Sequence, residues 1–171
     1  MVKNNRKLRE IKRLREIREW LRDIYQVTHF ISLQLPFDVK TDDFDVAMHH
    51  IWLITKWAEK NLLKRHWVSK YYRFAGFAER GRDGTWHAHL LLSCPDRSTQ
   101  EIVAAFACAG EKYRKDRRTN DIPDIDIRKI TGLKRLVRYC TKQLGLDYLT
   151  RIDTDRIFIS EDLFNRQSSR R

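Results

Sequence analysis

Two histidines separated by one residue stand in Trp86-His87-Ala88-His89-Leu90-Leu91-Leu92. Side chains alternate faces along a β-strand, so both imidazoles would project from one side. Trp86, Ala88, Leu90 and Leu92 would project from the other, into a core. Two imidazoles on one face suit a single metal ion, although a polar sheet face also carries histidines. The turn Gly81-Arg82-Asp83-Gly84 adds a constraint. A three-residue loop, Arg82-Asp83-Gly84, with Gly84 left-handed, sets Glu79 opposite His87 and Phe77 opposite His89. Phe74, Gly76 and Ala78 then face Leu92, Leu90 and Ala88 on the core side, so one register satisfies both faces. A two-residue loop would set Ala78 against His87 and mix the faces. Glu79 by itself reads equally as a cross-strand ion pair. With His87 and His89 it forms a nitrogen and carboxylate set, free of thiolate, that suits Mg²⁺ or Mn²⁺ and leaves positions for a phosphate oxygen.

A second chemical element lies downstream. Thr131 can cap a helix that runs through Leu144, with Leu133, Leu136, Val137, Cys140 and Leu144 on one apolar stripe. Tyr139, Lys142 and Gln143 fall at i, i+3 and i+4 on a neighbouring face with Arg135. A free phenol, with pKa ~10, is a weak nucleophile at neutral pH. A cation beside it and a polarised phosphate would help it attack. Lys142 could neutralise phosphate charge or protonate a leaving oxygen.

The elements that must position these groups follow from periodicity. Residues 3–25 read as a basic helix whose stripe is Leu8, Ile11, Leu14, Ile17, Leu21 and Ile24. That stripe could dock on the domain, pair with a partner helix in an oligomer, or lie along DNA. Residues 27–35 alternate as a strand and stop at Pro36. A helix over 42–63, a strand over 67–80 and a strand over 85–93 follow. Ser98 or Thr99 caps a helix to about Lys115, and residues 114–120 read as a basic loop. Residues 124–130 form a strand, and 156–160 a last short one. The core order β-α-β-β-α-β predicts an α+β fold: an antiparallel sheet of four to five strands with helices packed on it. The expected organisation is a basic amphipathic helix over 1–25, one domain over 26–162 and a disordered basic tail over 163–171.

Length and charge bound the function. A chain of 171 residues suits one domain with a real core, and is too short to carry a motor as well. No apolar run approaches the ~20 residues of a membrane span, and the charged N-terminus carries no signal-peptide pattern, so a cytoplasmic protein without membrane contact is expected. Cys94, Cys108 and Cys140 are scattered, against both a disulfide framework and a zinc ribbon. Lysine and arginine total 35 against 23 acidic residues, a formal charge of +12 that suits a polyanionic partner. Arg80, Arg82, Lys134, Arg135 and Arg138 flank the expected site and are candidates for phosphate contact. Tyr71 and Tyr72 could stack bases or pack, Trp52 and Trp57 read as core, and the adjacent His49 and His50 diverge on a helix and read as surface or packing.

Three segments in this order resemble the HUH endonucleases, specifically the single-tyrosine rolling-circle replication initiators of plasmids, phages and small viruses. The paired-histidine motif is matched by His87-Ala88-His89. The tyrosine motif is matched by Tyr139-Cys140-Thr141-Lys142, and the apolar first motif by Phe30-Ile31-Ser32-Leu33-Gln34-Leu35. The resemblance covers roughly residues 26–146. It implies a sequence-specific endonuclease that holds a phosphate of single-stranded DNA at a divalent metal. Tyr139 would attack, leaving a 5′-phosphotyrosine link and a free 3′-hydroxyl that starts replication. The substrate would be an origin, as a single strand or a hairpin, on a plasmid or virus genome in a bacterial or archaeal cytoplasm. Tyr139 to Gln143 also resembles the Tyr-x-x-x-Gln of IS200-like HUH transposases, in which the glutamine is the third ligand, so Gln143 is the alternative to Glu79. Two readings from other classes remain: a non-catalytic single-strand-binding module using the same β-α-β-β-α-β order, and a metal hydrolase of small phosphoesters.

Overall fold

The computed structural model describes residues 12, 15, 16, 19–21, 26–64, 72–132, 135, 136, 139, 140 and 157–159. Among the described residues, five strands and two long helices follow in the order β1 (His29–Gln34), α1 (Phe44–Leu63), β2 (Arg73–Arg80), β3 (Trp86–Ser93), α2 (Thr99–Arg117), β4 (Asp124–Lys129) and β5 (Ile157–Ile159). The strands form one sheet in the order β4-β1-β3-β2-β5, every neighbouring pair antiparallel. β1 and β2 therefore run parallel to each other with β3 inserted between them. This is the split β-α-β arrangement expected from the element order, and the fold is α+β.

Local chemistry sets the ends. Asp43 accepts from Val46 N at 3.0 Å and opens α1. Ser98 and Glu101 form a reciprocal capping box at the start of α2, with Glu101 N donating to Ser98 Oγ at 3.2 Å and Ser98 N to Glu101 Oε2 at 2.9 Å. The basic loop expected from Arg114 is instead the last turns of α2, which reaches Arg117. Glu111–Arg114 and Lys112–Asp116 ion pairs brace those turns, and Arg118 ends them with φ 56°. The helix over 42–63 starts two residues late, at Phe44. Residues 65–71, where the second strand was expected to begin, lie outside the described residues, and β2 is in place by Arg73.

The main core fills the space between the sheet and the two long helices. Ile31, Leu33, Ala88, Leu90 and Leu92 meet Ala47, Ile51, Ile54 and Ala58 of α1 and Ile102, Phe106 and Ala109 of α2. Of the tryptophans expected in the core, Trp57 is only partly buried against it. Trp52 lies beside that stripe, under Lys56 Nζ at 4.9 Å, because Ile51, Ile54, Thr55 and Ala58 already fill the inward face.

The opposite face carries a smaller cluster of Leu21, Ala75, Phe77, Leu91 and Cys140, with Trp20, Phe30 and Leu136 against it. Of the options for the N-terminal stripe, Leu21 adopts docking: it is completely buried. The other stripe residues of 1–25 lie outside the described residues, as does the tail over 163–171. Among the described residues, no helix is long and apolar enough to cross a membrane.

Candidate functional site

The β2–β3 hairpin builds the site. Gly81 N donates to Thr85 O at 2.8 Å, closing a loop of Arg82, Asp83 and Gly84 in which Gly84 takes φ +81°. That positive φ is where a side chain would be strained. Asp83 accepts from Thr85 N at 3.1 Å and from Thr85 Oγ1 at 2.8 Å, which fixes the turn. The register that follows pairs Glu79 with His87, Phe77 with His89, Ala78 with Ala88, Gly76 with Leu90 and Phe74 with Leu92. Both faces come out as the loop length predicts.

Glu79, His87 and His89 converge on the face away from the long helices, with their ligand atoms all within 4.8 Å of one another. Glu79 Oε2 lies 2.8 Å from His89 Nε2 and 3.6 Å from His87 Nε2. Donors bound to one ion at about 2.1 Å sit roughly 3–4 Å apart around it, so the triad fits a metal with small side-chain adjustments. Contacts from His87 and then His89 hold the Glu79 carboxyl down to about 2 against the opposing effect of burial, so it is ionised at neutral pH. His89 is 4 % exposed, and its Nδ1 is buried with no hydrogen-bond partner among the described residues. Glu79, His87 and His89 together could hold a metal ion.

Tyr139 reaches the same place from the C-terminal helical residues. Cys140 beside it is buried in the smaller cluster and anchors the turn, while Tyr139 is 52 % exposed. Its ring centroid is 5.3 Å from that of His89, edge to face, and 6.4 Å from Phe30. Phe30 in turn stacks on His89 at 5.3 Å. Burial, then the Glu79 charge and Cys140, push the phenol above its ordinary pKa. A cation near the triad would oppose that shift.

Other expected residues separate. Arg82 is exposed at the hairpin tip, beside the cleft that reaches His87. Arg80 pairs with Trp86 in register and so projects from the helix-covered face; its Nε donates to Gly84 O at 2.8 Å and braces the hairpin. Arg135 is exposed on the tyrosine's helix. Lys134, Arg138, Lys142 and Gln143 lie outside the described residues, as does Tyr71. Tyr72 donates to Asp96 at 3.3 Å and accepts from Arg97 at 3.2 Å, a packing role. His50 Nδ1 meets the Tyr113 hydroxyl at 2.9 Å in the helical layer, also packing. Sequence reasoning took Phe30 only as part of an apolar strand. The available signal was its place at the head of the alternation Phe30, Ser32, Gln34, an aromatic ring on an otherwise polar face.

No family model, curated protein or solved structure matches the chain.

Proposed function

We propose that the chain is a metal-dependent endonuclease of the HUH kind, which nicks single-stranded DNA with Tyr139 and stays joined to the 5′ end. The substrate is a replication origin, as a single strand or a hairpin, of a plasmid or virus in a bacterial or archaeal cytoplasm. One observation carries this reading: an exposed tyrosine stands edge to face with His89, 5.3 Å between ring centroids, on the sheet face where Glu79, His87 and His89 converge. A basic chain of formal charge +12 supports a polyanionic substrate.

A divalent ion held by the triad, Mn²⁺ or Mg²⁺, would supply Lewis-acid polarisation of one phosphate oxygen and offset the Glu79 charge. Tyr139 Oη attacks phosphorus in line with the 3′ oxygen. A tyrosine–phosphorus ester forms, the phosphorus–O3′ bond breaks, and the phenolic proton is in balance delivered to the 3′ oxygen. Lys142 is the residue proposed to protonate that oxygen. One phosphodiester replaces another, so the step consumes no cofactor and can run backwards to rejoin strands.

The test is a denaturing gel for covalent adducts. The protein is incubated with a pool of labelled single-stranded oligonucleotides, with Mn²⁺ or with EDTA, beside Tyr139→Phe. The expected result is a shifted band that requires both metal and Tyr139. Metal-independent single-strand binding with no adduct for any sequence would move the chain to the binding-module class. Adducts that persist in Tyr139→Phe would reassign the nucleophile.

A further inference from the structure

The triad accounts for one phosphate, and a cleft beside it is not used by that chemistry. Gln34 pairs with His87 in the β1–β3 register, so β1 leaves the sheet at the His87 end. The hairpin tip leaves the sheet at the same end. Between the two lies a cleft of about 290 Å³ lined by Gln34, Leu35, Lys40, Arg82, Asp83 and His87, among others. Its size is close to the lower bound of small-ligand pockets, roughly 300 Å³. That suits one nucleotide and not a longer segment.

The charges in the cleft are arranged for an anion that displaces a weak contact. Lys40 Nζ meets Asp83 Oδ2 at 3.4 Å, a long ion pair with both partners in reach of water. Asp83 is tied to Thr85 by two shorter bonds, so Lys40 is the partner free to turn toward a phosphate. Arg82 adds a second cation at the exposed tip. On the turn between Leu35 and Lys40 sits Phe37, 84 % exposed, the most exposed large apolar side chain among the described residues. The turn is held, because Asn120 N donates to the neighbouring Asp38 at 2.9 Å. A solvent-facing ring three residues before Lys40, on the turn that leads out of the cleft, offers a face for a base, while the cleft's cations offer charge for its phosphate.

We infer that this cleft binds the nucleotide adjoining the phosphate presented to the triad, with Lys40 and Arg82 on its own phosphate, Gln34 at the base edge and Phe37 as the stacking platform. The inference rests on the single-strand nuclease reading, and deepens it by placing a second point of contact with the strand. The occupied cleft would hold the DNA in register over Tyr139.

The test keeps binding apart from cleavage. Fluorescence anisotropy of a labelled oligo-dT and of a mixed-sequence oligonucleotide is measured in EDTA, with all variants on the Tyr139→Phe background. Phe37→Ala should weaken binding about tenfold, the loss of one stacked base. Arg82→Ala should weaken it roughly three- to tenfold and flatten the salt dependence. Lys115→Ala, exposed on α2, should leave binding unchanged. Adduct formation with Mn²⁺ is scored separately on chains that keep Tyr139. Normal adducts together with unchanged anisotropy for Phe37→Ala and Arg82→Ala overturn the subsite alone. Absent adducts overturn the nuclease reading, whatever the anisotropy. A change in oligomeric state of Phe37→Ala by gel filtration, with unchanged anisotropy, would make the ring a protein contact and also overturn the subsite.

Discussion

On the helix-covered face of the sheet, Ala88, Leu90 and Leu92 of β3 meet Ile31, Leu33, Ile51 and Ile54. On the other face the intervening His87 and His89 meet a carboxylate, and the buried apolar residues among those described are Leu21, Ala75, Phe77, Leu91 and Cys140. One strand thus serves both faces with alternate residues. The first face gains from excluding water completely. The second sets an ionised, partly exposed cluster beside the apolar area that seats Leu21 and Cys140. Stability should therefore be governed by the first face and chemistry by the second.

The largest expected effect tests that division on the polar side. His87→Ala removes one of the three candidate ligands from a partly exposed position and leaves no large cavity. It should lower adduct formation by at least ~100-fold and abolish the rise in melting temperature on adding Mn²⁺. Stability without metal should change by less than ~1 kcal/mol. A Mn²⁺-dependent rise that survives the substitution would place the ion elsewhere and break the comparison.

Leu90→Ala is the counterpart one residue beyond His89. Leu90 is 1 % exposed in the main core. Truncation should cost about 2–5 kcal/mol, read by urea denaturation. The surviving folded protein should keep its Mn²⁺ response, because the neighbouring histidines are carried by the backbone and not by the Leu90 side chain. A loss of both properties together would mean that the faces are coupled.

The parts of this arrangement legible in the sequence are those set by short-range rules. The alternation through Trp86–Leu92 and the need for a positive φ at Gly84 together fix the hairpin register, and with it the triad. Ser98 and Glu101 announce the start of α2. Its end is less legible because Arg114 to Arg118 looks like a solvated charge run, whereas the Glu111–Arg114 and Lys112–Asp116 pairs make it part of a braced helix. The place of Trp52 is not legible because a tryptophan one step off a helical stripe gives the same composition signal as one on it. The cleft beside His87 was not legible at all: Lys40 and Asp83 are 43 positions apart, and nothing local brings them together.

Leu21→Ala sharpens the comparison from the thin side. Leu21 is as fully buried as the core leucines, but among the described residues its cluster is the smaller one and adjoins the open site. The cost should sit at the low end for buried leucines, about 2 kcal/mol, because the thin layer can collapse onto the gap. The measurement is the same denaturation series. If Leu21→Ala costs as much as Leu90→Ala, the two faces contribute alike and the proposed division fails.

A pH-dependent effect comes from two glutamates that the two faces treat in opposite ways. His87 and His89 hold Glu79 down to about 2. Glu59 on α1 is pushed up to about 7 by burial, against the pull of the Tyr72 backbone N–H at 2.7 Å and of Lys56. Folded Glu59 thus keeps a proton that the unfolded chain, near its ordinary 4.5, has released. Its contribution to stability is whole below pH 4.5 and is lost as pH rises through about 7. Glu59→Gln keeps the acceptor for Tyr72 N and cannot ionise. Its melting temperature should match the parent's in acid and exceed it in base, by roughly 2–4 °C for each kcal/mol of that lost contribution. A gap between the two curves that does not widen with pH would show that the helix-covered face leaves Glu59 an ordinary carboxylate, and that the contrast with Glu79 lies only in the histidines.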